Sequence, residues 1–100
     1  MIDFSRIAGF DWDTGNSRKS ADKHSVEAAE AEQVFIDARL LITDNAGHSQ
    51  TERRYRALGE TLDGRRLYVT FTLHGGGTVI RVISTRDMNR RERAQYEKEP

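Results

Sequence analysis

Residues 66–85 read Arg66-Leu67-Tyr68-Val69-Thr70-Phe71-Thr72-Leu73-His74-Gly75-Gly76-Gly77-Thr78-Val79-Ile80-Arg81-Val82-Ile83-Ser84-Thr85. The first eight alternate cleanly. Side chains on a strand have a period of two, so Leu67, Val69, Phe71 and Leu73 point one way and Arg66, Tyr68, Thr70 and Thr72 the other. The three glycines make the next turn. Val79 to Thr85 is apolar on both sides except at Arg81 and Ser84, which is the composition of a central strand. Two strands joined by a short glycine turn predict the middle of an antiparallel sheet.

Further strands extend this pair. Leu62-Asp63-Gly64-Arg65 is a hairpin turn, Asp-Gly being a favoured pair there. Before it, Thr51 to Leu58 reads as a polar strand, with Glu52, Arg54 and Arg56 on one side. Arg39 to Thr43 is short and apolar, and residues 44–48 form a loop. At the N-terminus, residues 4–12 carry Phe4, Ile7, Phe10 and Trp12 and resemble a short first strand.

Helices flank the strands. Asp13 or Thr14 can cap a short helix through about Asp22, with Asn16, Lys19 and Lys23 on one face. Ser25 is a good N-cap for a second helix, from Val26 to about Phe35, rich in Ala and Glu. Asp87 or Asn89 starts a closing helix. Asn89 and Glu92 have capping-box spacing, and Met88, Glu92 and Tyr96 share a face. The expectation is an α+β fold in a single domain over residues 1–100. It has an antiparallel sheet of about four strands, two N-terminal helices and a C-terminal helix.

With 100 residues the core is thin. There is no cysteine, hence no disulfide framework and no thiolate metal site. His24, His48 and His74 are scattered, and no glycine-rich phosphate loop precedes a helix, so no cofactor is expected. No apolar stretch approaches the ~18 residues of a membrane span, and no secretory signal is visible. A cytoplasmic protein without membrane contact is the plain expectation.

The net charge is zero, yet unevenly placed. Residues 1–50 hold five basic against nine acidic side chains, and residues 51–100 hold eleven against seven. Thirteen of the sixteen cations are arginine. Their planar forks fit phosphate or carboxylate two bonds at a time. An arginine-rich half in a neutral chain points to an anionic ligand on one face, or to a salt-bridged surface.

Three sites could carry chemistry. Lys23-His24 lies where one helix gives way to the next and could move a proton near a phosphate, or could simply cap and be solvated. Arg53, Arg54, Arg56, Arg65, Arg66, Arg81 and Arg86 form the second set. Arg81 is its sharpest member, because an unpaired charge in a central strand is costly to bury. It either pairs with a carboxylate such as Glu52 or Glu92 or lines an anion pocket, with Arg54 facing the same site. The third is Glu92 with Tyr96, near Arg86, or else a capping glutamate and a core tyrosine.

Several segments together resemble the BrnT family of toxins. They are Phe10-Asp11-Trp12-Asp13, then Asn16, Lys19 and Lys23-His24 before Val26, then Val34-Phe35-Ile36-Asp37 and His48-Ser49. Glu52-Arg53-Arg54-Tyr55-Arg56-Ala57-Leu58-Gly59, Gly64–Thr72, Ile80–Arg86, Glu92-Arg93 and Tyr96-Glu97 complete the set. The ordered set spans nearly the whole chain.

The resemblance implies a RelE-like fold and an endoribonuclease of a type II toxin–antitoxin system. It implies a BrnA-type antitoxin that covers the basic face, forms a heterotetramer through its own dimer, and carries the contact with operator DNA. The implied catalytic residues are Lys23, His24, Arg54, Arg81, Arg86 and Tyr96. Lys19, Arg65 and Glu92 would bind RNA.

The implied reaction is metal-independent attack of the RNA 2′-hydroxyl on its own phosphodiester. Arg81 and Arg54 would stabilise the growing charge, His24 or Lys23 would move a proton, and Tyr96 or Arg86 would place the substrate. Two positions depart from the family pattern: Ser25 replaces a glycine, and Leu73-His74 stands where a charged residue is usual. A catalytically degenerate homologue that only binds antitoxin, or acts as co-repressor, is the alternative.

Overall fold

A computed structural model describes residues 4–12, 28–44 and 54–98. The expected helix at about 14–22, the Ser25 cap, the loop at 45–48 and Glu52 lie outside these residues. A 3-10 turn at Phe4–Arg6 leads into β1, Gly9–Trp12. Helix α1 spans Ala28–Val34, followed by β2 (Leu41–Asp44), β3 (Tyr55–Glu60), β4 (Arg66–His74), β5 (Val79–Asp87) and helix α2 (Arg90–Lys98).

The strands form one sheet in the order β1-β5-β4-β3-β2. Strands β2 to β5 make the expected antiparallel meander. The sheet nevertheless has five strands and is mixed, because β1 lies parallel to β5 with Phe10 opposite Ile80 and Trp12 opposite Val82. Alternation of Phe10 and Trp12 predicts a strand but cannot name its neighbour, so the expectation of about four antiparallel strands leaves β1 out of the sheet. Two of the three expected α-helices stand among the described residues, and the other, at about 14–22, lies outside them.

Directly opposed residues on neighbouring strands share a face, so the register sorts the sheet into two sides. One side carries Phe10, Trp12, Ile80, Val82, Leu67, Val69, Phe71 and Ala57, and it packs beneath Ala31 and Val34 of α1. Phe35 meets Phe71 edge-on at 5.1 Å, while Tyr55 stacks on Phe71 at 5.5 Å from the neighbouring strand. Trp12 donates its indole N–H to Glu32 at 2.8 Å, which ties β1 to the same helix. Helix α2 packs on the opposite side of the sheet, where Met88 and Tyr96 are buried with Leu58 against Leu41 and Tyr68.

Helix α1 is short but built from good helix formers, Ala, Glu and Gln. Its end tightens through bonds from the Phe35, Ile36 and Asp37 amides to carbonyls three residues back. Gly59 lets that end lie almost on the sheet. A Cβ there would stand 2.6 Å from Val34 Cγ1 and 3.0 Å from the Val34 carbonyl. The turn expected at Leu62–Arg65 forms with Gly64 at φ 86° and a bond from the Thr61 amide to the Arg65 carbonyl. Gly75, Gly76 and Gly77 all adopt positive φ, as the β4–β5 turn demands.

The contact at Gly59 yields a direct expectation. Gly59→Ala should destabilise the fold by about 1–3 kcal/mol by overpacking against Val34. Urea unfolding would show it as a lower midpoint at unchanged slope.

Candidate functional site

The sheet face opposite α1, here the far face, is ordered in cross-strand rows. The first row sets Asp11 beside Arg81 and Arg81 beside Thr72. The second runs Ser84, Thr70, Arg56 and Thr43. The third runs Arg86, Tyr68, Leu58 and Leu41, and α2 lies along it.

An irregularity makes this arrangement possible. Thr70 opposes Ser84 and Phe71 opposes Val82, so Ile83 is an extra residue in β5. Strict alternation from Arg81 would send Ser84 and Arg86 to the α1 side. The bulge reverses the parity and places Arg81, Ser84 and Arg86 on one face.

Arg86 forms a two-pronged pair with Glu92, both N–O distances being 2.8 Å, and lies over the Tyr68 ring at 4.0 Å from its centroid. Glu92 also closes the predicted capping box. Its carboxylate accepts the Asn89 amide at 3.0 Å, and the Asn89 side-chain oxygen accepts the Glu92 amide at 2.8 Å. Burial would raise the Glu92 pKa. The hydrogen bonds from Arg86 and Asn89, with the charges of Arg86 and Arg56, outweigh it and hold the carboxyl below its ordinary value.

The Glu92 carboxylate offered as one possible partner of Arg81 is therefore engaged by Arg86. Arg81 is half-buried on β5, an interior strand as expected, next to Asp11. Arg54 is exposed one residue before β3. Arg56, which the sequence reading grouped with the other arginines but did not single out, sits at the middle of the second row. Its spacing from Arg54 was the available signal.

The remaining expected site residues lie apart. Arg65 faces the α1 side, where it grips Asp87 at 2.7 and 3.0 Å and reaches Glu30 at 3.4 Å. Tyr96 is buried, and its hydroxyl donates to Asp37 Oδ2 at 2.6 Å. The guanidiniums of Arg39 and Arg66 lie over the Tyr96 ring at 4.9 and 5.7 Å. Burial, then the Asp37 carboxylate, push the Tyr96 phenol up to about 12. Lys19, Lys23 and His24 lie outside the described residues.

Asp37 lies in a segment that carries the family resemblance, but the sequence assigns it no role. It accepts the Glu60 amide at 2.8 Å and the Arg39 amide at 3.0 Å besides the Tyr96 hydroxyl. Burial opposes its charge, but these donors prevail and its pKa is lowered. Nothing local shows its role, since its partner on α2 is 59 residues away.

The far face therefore presents Arg56, Arg81 and Arg86 in adjoining rows, with Asp11 and Glu92 beside them and Arg54 exposed two residues before Arg56. Such an arrangement can hold the oxygens of a phosphodiester.

Residues 12–92 match a family described as "Ribonuclease toxin, BrnT, of type II toxin-antitoxin system". This chain belongs to the BrnT family. The crystal structure of the Brucella abortus ribonuclease toxin BrnT shares the fold, with a TM-score of 0.61 at 20% identity, over 82% of this chain and 97% of that one. None of the curated proteins matches the chain. The BrnT match includes both Arg81 and Arg86 and ends on Glu92. Among the described residues, no helix is long and apolar enough to cross a membrane.

Two measurements follow from these contacts. Glu92→Gln should cost about 1 kcal/mol at neutral pH, discounted because Arg86 is about a third exposed. A carboxyl depressed by folding contributes fully above the ordinary glutamate value of about 4.3, and its contribution is lost as pH falls through the lower folded value. The gap between wild type and Glu92→Gln in denaturant titrations should thus close on acidification. Tyr96→Phe should cost about 1–2 kcal/mol by removing a donor from Asp37, read as a lowered melting temperature.

Proposed function

We propose that this chain is an endoribonuclease toxin that cuts RNA without a metal, using the arginines of the far face. The observation that carries the reading is the β5 bulge. It brings Arg86 to the same side as Arg81 and Arg56, within a chain of the BrnT family.

In the proposed reaction the RNA 2′-oxygen forms a bond to its own phosphorus as the bond from phosphorus to the 5′-oxygen breaks. His24, or a Lys23 of lowered pKa, takes the 2′-hydroxyl proton, and the leaving 5′-oxygen takes a proton from water. Arg81 and Arg54 stabilise the charge that grows on the phosphoryl oxygens. Arg86 places the substrate from the end of the face, oriented by Glu92 and Tyr68. Tyr96, with its hydroxyl on Asp37, supports this end through α2. Lys19 adds a phosphate contact, and Arg65 acts at a distance from the arginine rows.

A BrnA-type antitoxin is the proposed partner. It would cover the arginine face of a RelE-like toxin, assemble as a heterotetramer around its own dimer, and make the contact with operator DNA. The cytoplasm is the proposed setting.

Induced wild-type protein should arrest growth, with cleavage visible in total RNA and rescue by co-expressed antitoxin. Arg81→Ala should cut the cleavage rate at least about a hundredfold, as loss of one oxyanion donor does elsewhere. Activity that requires a divalent metal, or that survives intact in Arg81→Ala, would overturn the mechanism. A folded wild type that binds antitoxin without cutting RNA would make the chain a degenerate toxin acting as an interaction module.

A further inference from the structure

Arg56 and the second row of the far face take none of the individual steps proposed above. Arg56 sits there with Thr43 on one side and Thr70 on the other, and Ser84 lies beyond Thr70. One guanidinium is thus set in a line of three hydroxyls. Its Nε is buried and has no hydrogen-bond partner among the described residues. Burying an unmet donor costs free energy, so such a group calls for an explanation. In the adjoining row, the Thr72 Oγ1 next to Arg81 is likewise buried and unpartnered.

Glu92, a carboxylate that feels the Arg56 charge, does not meet this need. Both of its oxygens are engaged by Arg86. A hydroxyl can turn to donate or accept, and a guanidinium only donates. The row therefore suits a ligand rich in acceptors and negatively charged. Rows of β4 that hold Thr70 and Thr72 are two residues apart, about 6.8 Å along the strand. An extended single strand can bridge that gap between neighbouring phosphates.

We infer that Arg56, with Thr43, Thr70 and Ser84, forms a second phosphate subsite that holds the RNA phosphodiester next to the one at Arg81. The inference rests on the ribonuclease reading and extends it. Arg56 is a binding residue here, separate from the proton-transfer groups. It lengthens the contact with single-stranded RNA and sets the strand's direction across β3 and β4.

Binding of a single-stranded 2′-O-methyl oligonucleotide, which lacks the attacking hydroxyl, tests this at several salt concentrations. Each phosphate contact adds about 0.7 to the slope of log affinity against log salt for single strands. Arg56→Gln should lower that slope by about 0.7 and weaken binding about tenfold at low salt. Arg56→Lys should keep the slope, because the charge remains, and lose affinity, because the fork is gone. Cleavage by both variants should show a raised KM with kcat little changed.

An Arg56→Gln protein that melts like wild type and keeps slope and affinity overturns the subsite, while the ribonuclease reading stands on wild-type cleavage and its loss in Arg81→Ala. If Arg56→Gln fails to fold, Arg56→Lys decides: unchanged affinity overturns the subsite. If the wild type neither binds nor cuts RNA, the ribonuclease reading falls. The Arg56 Nε–H resonance is then followed by NMR on addition of inorganic pyrophosphate. A saturable shift keeps the anion subsite, and no shift removes it.

Discussion

Burial of every second residue of β4 beneath α1 is the constraint on which the rest of the molecule depends. Leu67, Val69 and Phe71 are fully enclosed, and Phe71 holds Phe35 from the segment after α1 and Tyr55 from β3 against its ring. A slip of one residue would turn all three outward and bring Tyr68, Thr70 and Thr72 into the core, so the register is fixed by the hydrophobic pattern. Once β4 is fixed, its neighbours inherit their faces. Arg56, Arg81 and Arg86 lie on the far face because their partners on β4 are Thr70, Thr72 and Tyr68.

A small domain cannot secure both sheet faces by apolar burial alone, and here the far end is held by polar links. Asp37, just after α1, accepts from the Tyr96 hydroxyl on α2 and from the Glu60 amide on β3. Those contacts join three segments that are distant in sequence. Glu92 does similar work at the other end of α2, as a cap for the helix and as a partner for Arg86. The carboxylate that steadies the helix thereby also orients a guanidinium at the edge of the arginine rows. Structural support and the proposed RNA contact share one side chain.

Among the described residues, several arginines of similar sequence setting differ in their surroundings. Arg65 and Arg66 are spent on carboxylates: Asp87 and Glu30 for the first, Glu60 and Glu97 for the second. They close the β3–β4 turn and brace α2. Arg56 has an unmet buried donor, and Arg54 stands exposed near it. Composition could not separate these arginines, since an ion pair and a phosphate site draw on the same residue type.

By itself the sequence determined the strands β3 to β5, both of their turns, the capping box at Asn89 and Glu92, and the family. Each depends on neighbours in the chain: the period of Leu67, Val69 and Phe71, the positive φ that Gly64 and Gly75–Gly77 supply, or a side chain three residues from an amide. Tertiary structure alone decided that β1 runs parallel to β5, that Tyr96 reaches Asp37, and that Ile83 is a bulge. These depend on strand partners and on residues far apart in the chain. The bulge matters most for function. Alternation read from the sequence assigns Arg81 and Arg86 to opposite faces, and one extra residue in the pairing of β5 with β4 puts them on the same one.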